Sequence, residues 1–377
     1  MNLEQIETPA LLLDAERMQR NLARMRAREQ SLGVRLRPHL KTCKSPDVAR
    51  RIFPDGPGPI TVSTLREAEQ FLEHGYRDIL YAVGIAPGKL EHVVALRRRG
   101  ADLAIVVDSL QAARTVAARA AALGERIPAL IEIDCDGHRA GVKPHERELL
   151  VAIAAALQAG AELRGVMTHA GASYDCGSID AIRAIAETER AAVADSAAAL
   201  RAAGHACPVV SVGSTPTACF AEHLEGVTEM RAGVYVFFDL VMAGIGVCAV
   251  NDIALSVLTT VIGHQRDRGW IVTDAGWMAM SRDRGTARQA VDQGYGLVCD
   301  ARGHALEPLI VLQANQEHGV VARRDGGTDI DFDRFPVGTL LRVLPNHACA
   351  TAAQHGAYRV VDSNGHQVDR WKRFRGW

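Results

Sequence analysis

Short apolar runs and amphipathic segments alternate over the first two thirds of the chain. Nine runs rich in Val, Ile and Leu have the length of buried strands, and they lie at 10–13, 35–40, 60–63, 79–83, 103–107, 129–133, 163–168, 209–212 and 227–231. The segments between them have the length and periodicity of helices. Nearly continuous apolar strands that alternate with helices are typical of a parallel sheet covered on both faces. The pattern therefore predicts an α/β fold, although a closed β/α barrel needs only eight strands.

Residues that begin and end helices support this alternation. Asp14 can cap a helix over about 15–32, and Gly33 follows at the position where a helix commonly ends. Ser45 and Pro46 suit the start of the next helix, because serine caps well and proline at the first helical position loses no hydrogen bond.

The pattern changes near residue 249. Beyond this point, short alternating runs such as 256–261, 309–312 and 340–343 are separated by Gly, Asp and Asn. Such runs are typical of strands joined by turns. We therefore expect a β/α domain over 15–249 and a mainly β domain over 250–377.

Composition excludes several classes of function. The 377 residues carry a net charge of -1 and have a pI near 6.9, so no positive surface is predicted for nucleic acid or anionic membranes. The eight cysteines show no paired CxxC spacing, and the N-terminus lacks a basic start followed by an apolar run. We expect a cytoplasmic protein with reduced thiols that acts on a small molecule.

A lysine follows the second apolar run in a turn that is rich in cations. Lys41 lies within a few residues of Arg35, Arg37, His39 and Lys44. Neighbouring positive charge and the edge of a core both favour a neutral amine, which is the reactive form in Schiff-base chemistry. The residues alone favour the simpler interpretation, a solvated basic strand end.

Three further loops follow predicted strands and carry candidate chemistry. Gly213, Ser214 and Thr215 stand between a strand and a short helix, where backbone N–H groups and hydroxyls can cradle a phosphate, although small residues also suit a tight turn. The loop 134–141 contains Arg139, and the loop 168–174 contains His169 and Tyr174. For His169, a satisfied histidine at a strand end is an equally good interpretation.

A histidine and a cysteine stand two residues apart in the predicted β domain. If His347 and Cys349 lie on one strand, they face the same side, about 6.5–7 Å apart along it. An imidazole and a thiolate at that separation can reach one metal ion and leave its other positions open. His-X-Cys also occurs often by chance.

Two motifs carry a resemblance to a known family. Residues 8–10 (TPA) and 37–44 (RPHLKTCK) resemble the opening of the pyridoxal-phosphate (PLP) enzymes built on the alanine racemase barrel, in the branch of D-serine dehydratases and D-threonine aldolases. The resemblance extends from Thr8 to Trp377. It implies a (β/α)8 PLP-binding barrel of the alanine racemase N-terminal type plus a C-terminal, mainly β domain, which the N-terminal strand (1–14) joins. Lys41 would then follow the first barrel strand and hold PLP.

The resemblance also implies roles for the loop residues. Gly213, Ser214, Thr215 and Tyr235 would contact the PLP phosphate, and Arg231 would complete the phosphate and pyridine contacts. Arg139 would approach the phenolic oxygen of PLP, because a guanidinium is a lasting cation. His169 and Tyr174 would face the ring plane and its edge.

For the β domain, the resemblance implies a catalytic divalent ion on His347 and Cys349. Zinc suits an imidazole–thiolate pair best, with manganese or cobalt as alternatives. The related D-threonine aldolases carry a carboxylate at the Cys349 position.

The function implied is a PLP- and metal-dependent dehydratase of D-3-hydroxy amino acids, with D-threo-3-hydroxyaspartate or D-serine as substrate. An aldolase that yields glycine and an aldehyde is the main alternative, and a racemase is a third. A non-catalytic PLP carrier resembles the barrel alone, so the β domain argues against it. A homodimer is expected from the resemblance.

Overall fold

The computed structural model describes residues 2–377, and the chain divides into two compact units. The β unit comprises residues up to Arg24 together with Val234–Arg375. The barrel unit comprises Met25–Gly233 together with Gly376–Trp377. Strand β1 (Ala10–Asp14) and the start of helix α1 (Ala15–Leu32) belong to the β unit.

The barrel unit contains eight parallel strands, which confirms the predicted fold. They are β2 (Arg35–Leu36), β3 (Ile60–Val62), β4 (Asp78–Gly84), β5 (Asp102–Val107), β6 (Pro128–Ile133), β7 (Glu162–Thr168), β8 (Val209–Val212) and β9 (Glu229–Met230), in the sheet order β2-β9-β8-β7-β6-β5-β4-β3. A parallel bridge between His39 and Thr61 joins the chain after β2 to β3 and closes the barrel.

Helices separate the barrel strands as the sequence pattern predicts. They are α2 (Pro46–Ile52), α3 (Leu65–Glu73), α4 (Leu90–Arg98), α5 (Leu110–Ala122), α6 (Arg147–Gln158), α7 (Ile179–Ala202) and α8 (Thr215–Phe220). Side chains of Thr64, Ser109 and Ser178 cap three of them by accepting backbone N–H groups. Ser45 is different, because its buried hydroxyl accepts no N–H group of α2 and has no hydrogen-bond partner among residues 2–377. Ser45 and Pro46 therefore stand at the predicted positions, but the Ser45 side chain forms no capping hydrogen bond.

The β unit contains a nine-stranded, mainly antiparallel sheet. Its strands are β1, β10 (Leu255–Gln265), β11 (Trp270–Thr273), β12 (Leu297–Cys299), β13 (Ala305–Ala314), β14 (Gly319–Arg323), β15 (Leu340–Leu344), β16 (Ala357–Val361) and β17 (Gln367–Lys372). The long strand β10 pairs with β1 and β15 through its first half and with β11 through its second half. This double pairing closes β11, β14, β13, β12, β15 and β10 into a barrel. The first strand therefore lies outside the β/α barrel, as expected.

Short helices complete the β unit: α9 (Leu240–Gly244), α10 (Trp277–Met280) and α11 (Ala348–Ala353). Single 3-10 turns occur at Leu3–Gln5, Pro87–Lys89, Gly171–Asp175, Val234–Val236, Val250–Asp252, Arg266–Arg268 and Phe332–Arg334. No helix within residues 2–377 has both the length and the apolar character needed to cross a bilayer.

The β unit takes two segments that the sequence pattern assigned to the barrel domain, namely 15–24 and 234–249. Hydrogen bonds explain this difference. The Asn21 amide donates to the carbonyl oxygens of Asp252 and Val236, and Arg17 donates to that of Ile253. The first turns of α1 are thereby tied to the segment that leads into β10.

Candidate functional site

The turn that carries Lys41 directly follows β2. The strand was predicted to reach Leu40, but it ends at Leu36. The chain nevertheless stays extended, because His39 N–H donates to the Ala232 carbonyl and Leu40 N–H donates to that of Thr61. Lys41 is exposed in the turn that follows, at the carboxyl end of the barrel strands, and its N–H points to Nδ1 of His39 at 3.5 Å.

The cations around Lys41 are mostly neutralised, which corrects the expectation of a turn dominated by positive charge. Arg37 contacts Glu229 at 2.9 Å and Asp78 at 2.6 Å, and Arg35 contacts the same Glu229 at 2.9 Å. Lys44 lies 3.1 Å from Glu67. These carboxylates lie on β9, β4 and α3, so only the folded barrel brings them to the turn.

Two histidines near Lys41 are neutral imidazoles. Burial lowers the pKa of His39 well below its usual value, and the charges of Lys41 and Arg231 lower it further. Burial also lowers the pKa of His169 to about 4, against the opposing hydrogen bond to the Gly213 carbonyl oxygen, which lies 2.5 Å from Nδ1. Because a carbonyl oxygen only accepts, Nδ1 of His169 carries the proton.

The structure brings five of the predicted residues together. Lys41, Arg139 and Arg231 each lie close enough to His169 to lower its pKa. The rings of His169 and Tyr174 stand 6.1 Å apart, measured between centroids. The expected cluster of cationic and aromatic side chains therefore exists at the ends of β2, β6, β7 and β9.

The two arginines differ in their surroundings. Arg231 is buried, and its guanidinium donates to the Ser211 hydroxyl and the Thr168 carbonyl oxygen. Arg139 is exposed and donates to Glu132 at 3.3 Å. Burial raises the pKa of Glu132, although Arg139 opposes this shift. Arg139 is therefore the more accessible of the two arginines, and turning toward a ligand would cost it the contact with Glu132.

The loop Gly213–Thr215 differs from the predicted cradle of free N–H groups. Gly213 N–H donates to Glu189, and Ser214 N–H donates to the Thr217 hydroxyl. Thr215 accepts a hydrogen bond from Gly233 N–H. Two of the N–H groups expected to bind phosphate are therefore already engaged within the protein.

Gly213 is nevertheless required by close packing. A Cβ atom there would lie 2.2 Å from the Arg231 carbonyl oxygen, so no larger residue fits without moving the chain that follows β9. Tyr235, the remaining candidate for the phosphate, lies buried in the 3-10 turn Val234–Val236 of the β unit.

Sequence reasoning missed the buried carboxylates of the barrel unit, among them Glu189 and Glu229. Each is only 1% exposed. For Glu189 a signal existed, since Ile182, Ala186, Glu189 and Val193 fall on one face of α7 at helical spacing, and that face is otherwise apolar. A charged residue on a buried face requires a partner.

In the β unit, His347 and Cys349 do not share a strand, so that geometric prediction is wrong. Strand β15 ends at Leu344, His347 is the residue before α11, and Cys349 lies in the first turn of that helix. Helix formation is promoted by Asp239, whose Oδ2 accepts the Ala348 N–H at 3.0 Å. The side chains of His347 and Cys349 still meet, and they share a hydrogen bond.

A carboxylate orients the imidazole of His347. Its Nδ1 lies 3.0 Å from Oδ2 of Asp283, which leaves Nε2 for Cys349. Burial acts to lower the pKa of His347, but the hydrogen bonds to Asp283 and Cys349 outweigh it and raise that pKa. Within residues 2–377, no group of three or more His, Cys, Asp and Glu side chains is arranged to hold a metal ion.

Asn346 fixes the loop that supplies Asp283. Its amide group donates to the carbonyl oxygens of Asp283 and Gly294, and its own oxygen accepts from the Thr286 hydroxyl. Asp239 is buried, which raises its pKa to about 6, and it also accepts the Met242 N–H at the start of α9. The position of the His347 ring is therefore set by several buried hydrogen bonds.

These two clusters correspond to two known domain families. Residues 13–241 match the model of the alanine racemase N-terminal domain, and residues 254–361 match that of a serine dehydratase domain. The chain therefore belongs to the family of the alanine racemase N-terminal domain.

Among curated relatives, the chain is 57% identical to the D-threo-3-hydroxyaspartate dehydratase of Delftia sp., over 99% of this chain and 98% of that protein. It is 27% identical to the D-serine dehydratase of Dictyostelium discoideum, over 100% of this chain and 98% of that protein. The solved structure of the Delftia enzyme has a TM-score of 0.98 at 57% identity and covers 100% of both chains. A D-threonine aldolase from Filomicrobium marinum has a TM-score of 0.82 at 27% identity, over 99% of this chain and 96% of that one.

Two solved variants of the dehydratase bear on the β unit. Both are 56% identical to this chain with a TM-score of 0.98, and they cover 97% and 100% of the dehydratase chain and 100% of this one. One replaces a histidine by alanine, and the other replaces the cysteine two positions later by alanine and is in the metal-free form.

Proposed function

We propose that this protein is a PLP- and divalent-metal-dependent lyase that converts a D-3-hydroxy amino acid to a 2-oxo acid and ammonia. D-threo-3-hydroxyaspartate is the leading substrate and D-serine the second. The observation that carries the proposal is the contact between His347 and Cys349, with the imidazole held by Asp283. A relative at 57% identity is named a D-threo-3-hydroxyaspartate dehydratase. Two solved variants of that enzyme replace a histidine and a cysteine that stand two positions apart, which is the spacing of His347 and Cys349.

The barrel cluster has the chemistry that PLP requires. An anionic cofactor suits a site with Lys41, Arg139 and Arg231 as cations, and the two neutral imidazoles add no competing charge. We propose that Lys41 holds the cofactor and that Arg139 faces its phenolic oxygen. The other proposed contacts are His169, Tyr174, Gly213, Ser214, Thr215, Arg231 and Tyr235. Bound PLP supplies an electron sink for negative charge at the substrate α-carbon.

The exposed amine of Lys41 is the proposed base. With PLP bound, Nζ of Lys41 would be the group positioned to accept the α-proton of the substrate. Neutral His39 leaves this amine without an added positive neighbour, and Lys44 is kept apart through its contact with Glu67 at 3.1 Å. One lysine in this turn is therefore available for chemistry while the other is structural.

The donor set in the β unit fits a divalent metal ion. An imidazole and a thiol are ligands that zinc prefers, and manganese or cobalt are alternatives. The Asp283 carboxylate holds the ring as carboxylates commonly do behind ligating histidines. A bound ion supplies Lewis acidity for a departing hydroxyl group. A thiolate ligand, rather than a carboxylate, favours the dehydratase over the aldolase.

The aldolase is the second candidate, because the D-threonine aldolase structure aligns over almost the whole chain. Incubation with D-threo-3-hydroxyaspartate, D-serine and D-threonine separates the two. A dehydratase releases ammonia and a 2-oxo acid, whereas an aldolase releases glycine and an aldehyde. Glycine as the main product would overturn the proposal. The homodimer stays a prediction, which light scattering on the purified protein would test.

A further inference from the structure

A buried carboxylate ties together the two loops that carry His169 and Gly213. Glu189 lies in the middle of α7, and its Oε1 accepts the N–H groups of Ala170 and Gly213, each at 3.0 Å. It also forms a hydrogen bond with the Thr217 side chain in the first turn of α8. One carboxylate thus contacts the chain after β7, the chain after β8 and the helix that follows.

These contacts close into a ring of hydrogen bonds. Ala170, whose N–H reaches Glu189, directly follows His169, and Nδ1 of His169 lies 2.5 Å from the Gly213 carbonyl oxygen. Gly213 N–H returns to the same Oε1 atom of Glu189. The carbonyl group that selects the His169 tautomer belongs to Gly213, whose N–H is bound by Glu189. The same carboxylate binds the N–H of Ala170, next to His169, so it holds both partners of this hydrogen bond in place.

The ring has a chemical consequence for the site. Because Nδ1 donates to a fixed carbonyl oxygen, Nε2 of neutral His169 is an acceptor with a set direction. The Oε1 atom of Glu189 accepts both N–H groups, so a side chain that keeps an acceptor oxygen at this position can hold the two loops. A glutamate that only caps backbone N–H groups would contact one loop, whereas Glu189 contacts the loops of both Ala170 and Gly213.

We propose that Glu189 is a positioning residue, which sets the tautomer and orientation of His169 by locking the Ala170 and Gly213 backbones together. Its effect on cofactor retention rests on the proposed function. Its effect on His169 does not, because the ring of hydrogen bonds lies within the protein.

The test compares Glu189→Ala and Glu189→Gln with Glu187→Gln. Glu187 is an exposed residue on the same helix that pairs with Arg190, so it is a matched control. Nitrogen-15 NMR of histidine-labelled protein, with His169 assigned from a His169→Asn sample, reports which ring nitrogen carries the proton. Equilibrium dialysis reports the PLP dissociation constant.

We expect Glu189→Ala to mix the two His169 tautomers, because the two loops lose their shared acceptor. PLP binding should weaken by about tenfold or more, which corresponds to about 1.4 kcal/mol. Glu189→Gln keeps an acceptor oxygen and should restore the parent tautomer, and Glu187→Gln should match the parent. If Glu189→Ala does not fold, Glu189→Asp replaces it, because its shorter side chain cannot reach both loops. A folded Ala or Asp variant with the parent tautomer would overturn the proposal. A parent that binds no PLP would contradict the proposed function but leave the NMR result decisive.

Discussion

Nδ1 of His347 lies 3.0 Å from Oδ2 of Asp283, a residue 64 positions earlier in the chain. If His347 holds a metal ion through Nε2, Asp283→Ala should lower the metal affinity by about 10–100-fold, since the ring loses its orienting partner. Elemental analysis after dialysis measures this, with exposed Asp325→Asn as the control. PLP retention should stay unchanged. An Asp283→Ala protein with the metal content of the parent would contradict the site.

Removal of the metal should separate the two proposed cofactors. EDTA treatment or His347→Ala should leave PLP absorbance and amino-acid binding intact, while product formation falls by orders of magnitude because the hydroxyl group then departs without a Lewis acid. Added Zn²⁺ or Mn²⁺ should restore the EDTA-treated protein but not the variant. Full turnover in a preparation shown by elemental analysis to lack metal would refute the mechanism.

Lys41→Ala should abolish both the absorbance of lysine-bound PLP and turnover. Lys44→Ala is a close control, because Lys44 lies in the same turn but contacts Glu67 at 3.1 Å. Borohydride reduction followed by peptide mass spectrometry locates the modified lysine. A reducible adduct in Lys41→Ala together with normal activity would show that another lysine holds the cofactor.

The buried histidine makes stability depend on pH. The pKa of His169 is lowered from 6.5 to about 4, so the unfolded chain binds more protons than the folded protein between these values. The contribution is present above pH 6.5 and is lost as the pH falls toward 4, and it amounts to no more than about 3 kcal/mol. Glu189 opposes it, because burial raises the pKa of that carboxyl group.

Denaturant unfolding of the PLP-free protein at several pH values isolates the effect. His169→Asn should flatten the decline in the free energy of unfolding between neutral pH and pH 4, whereas exposed His223→Asn should not. Parallel curves for the parent and His169→Asn would mean that folding does not shift the pKa of this ring.

The buried pair Arg37–Glu229 should be needed for stability. Glu229 is 1% exposed, and its removal would leave the buried guanidinium with only the partly exposed Asp78 as a charged partner. We expect Glu229→Ala to lower the free energy of unfolding by about 3–5 kcal/mol, as measured with urea. Exposed Glu222→Gln should change it by less than about 0.5 kcal/mol. A loss below 1 kcal/mol in Glu229→Ala would mean that solvent or Asp78 replaces the partner.

Local pattern was sufficient for the elements of the barrel unit. Buried parallel strands must be apolar on both faces, and helices must be capped, so periodicity and end signals located α1 and eight barrel strands. An apolar run of five residues does not indicate which sheet it will join. Only the family resemblance therefore placed β1 in the β unit, where it pairs with β10.

The candidate site was determined partly by sequence and partly by tertiary structure. The sequence by itself determined which reactive groups follow strand ends in the barrel, namely Lys41, Arg139 and His169, and its spacing paired His347 with Cys349. Only the fold decided their charges and directions, because the partners lie far away along the chain. Glu229 neutralises the arginines before Lys41, Glu189 engages the N–H of Gly213, and Asp283 orients His347. Electrostatic and hydrogen-bond partners act through space over a few ångströms. The separation of two residues along the sequence does not indicate whether the fold brings them that close.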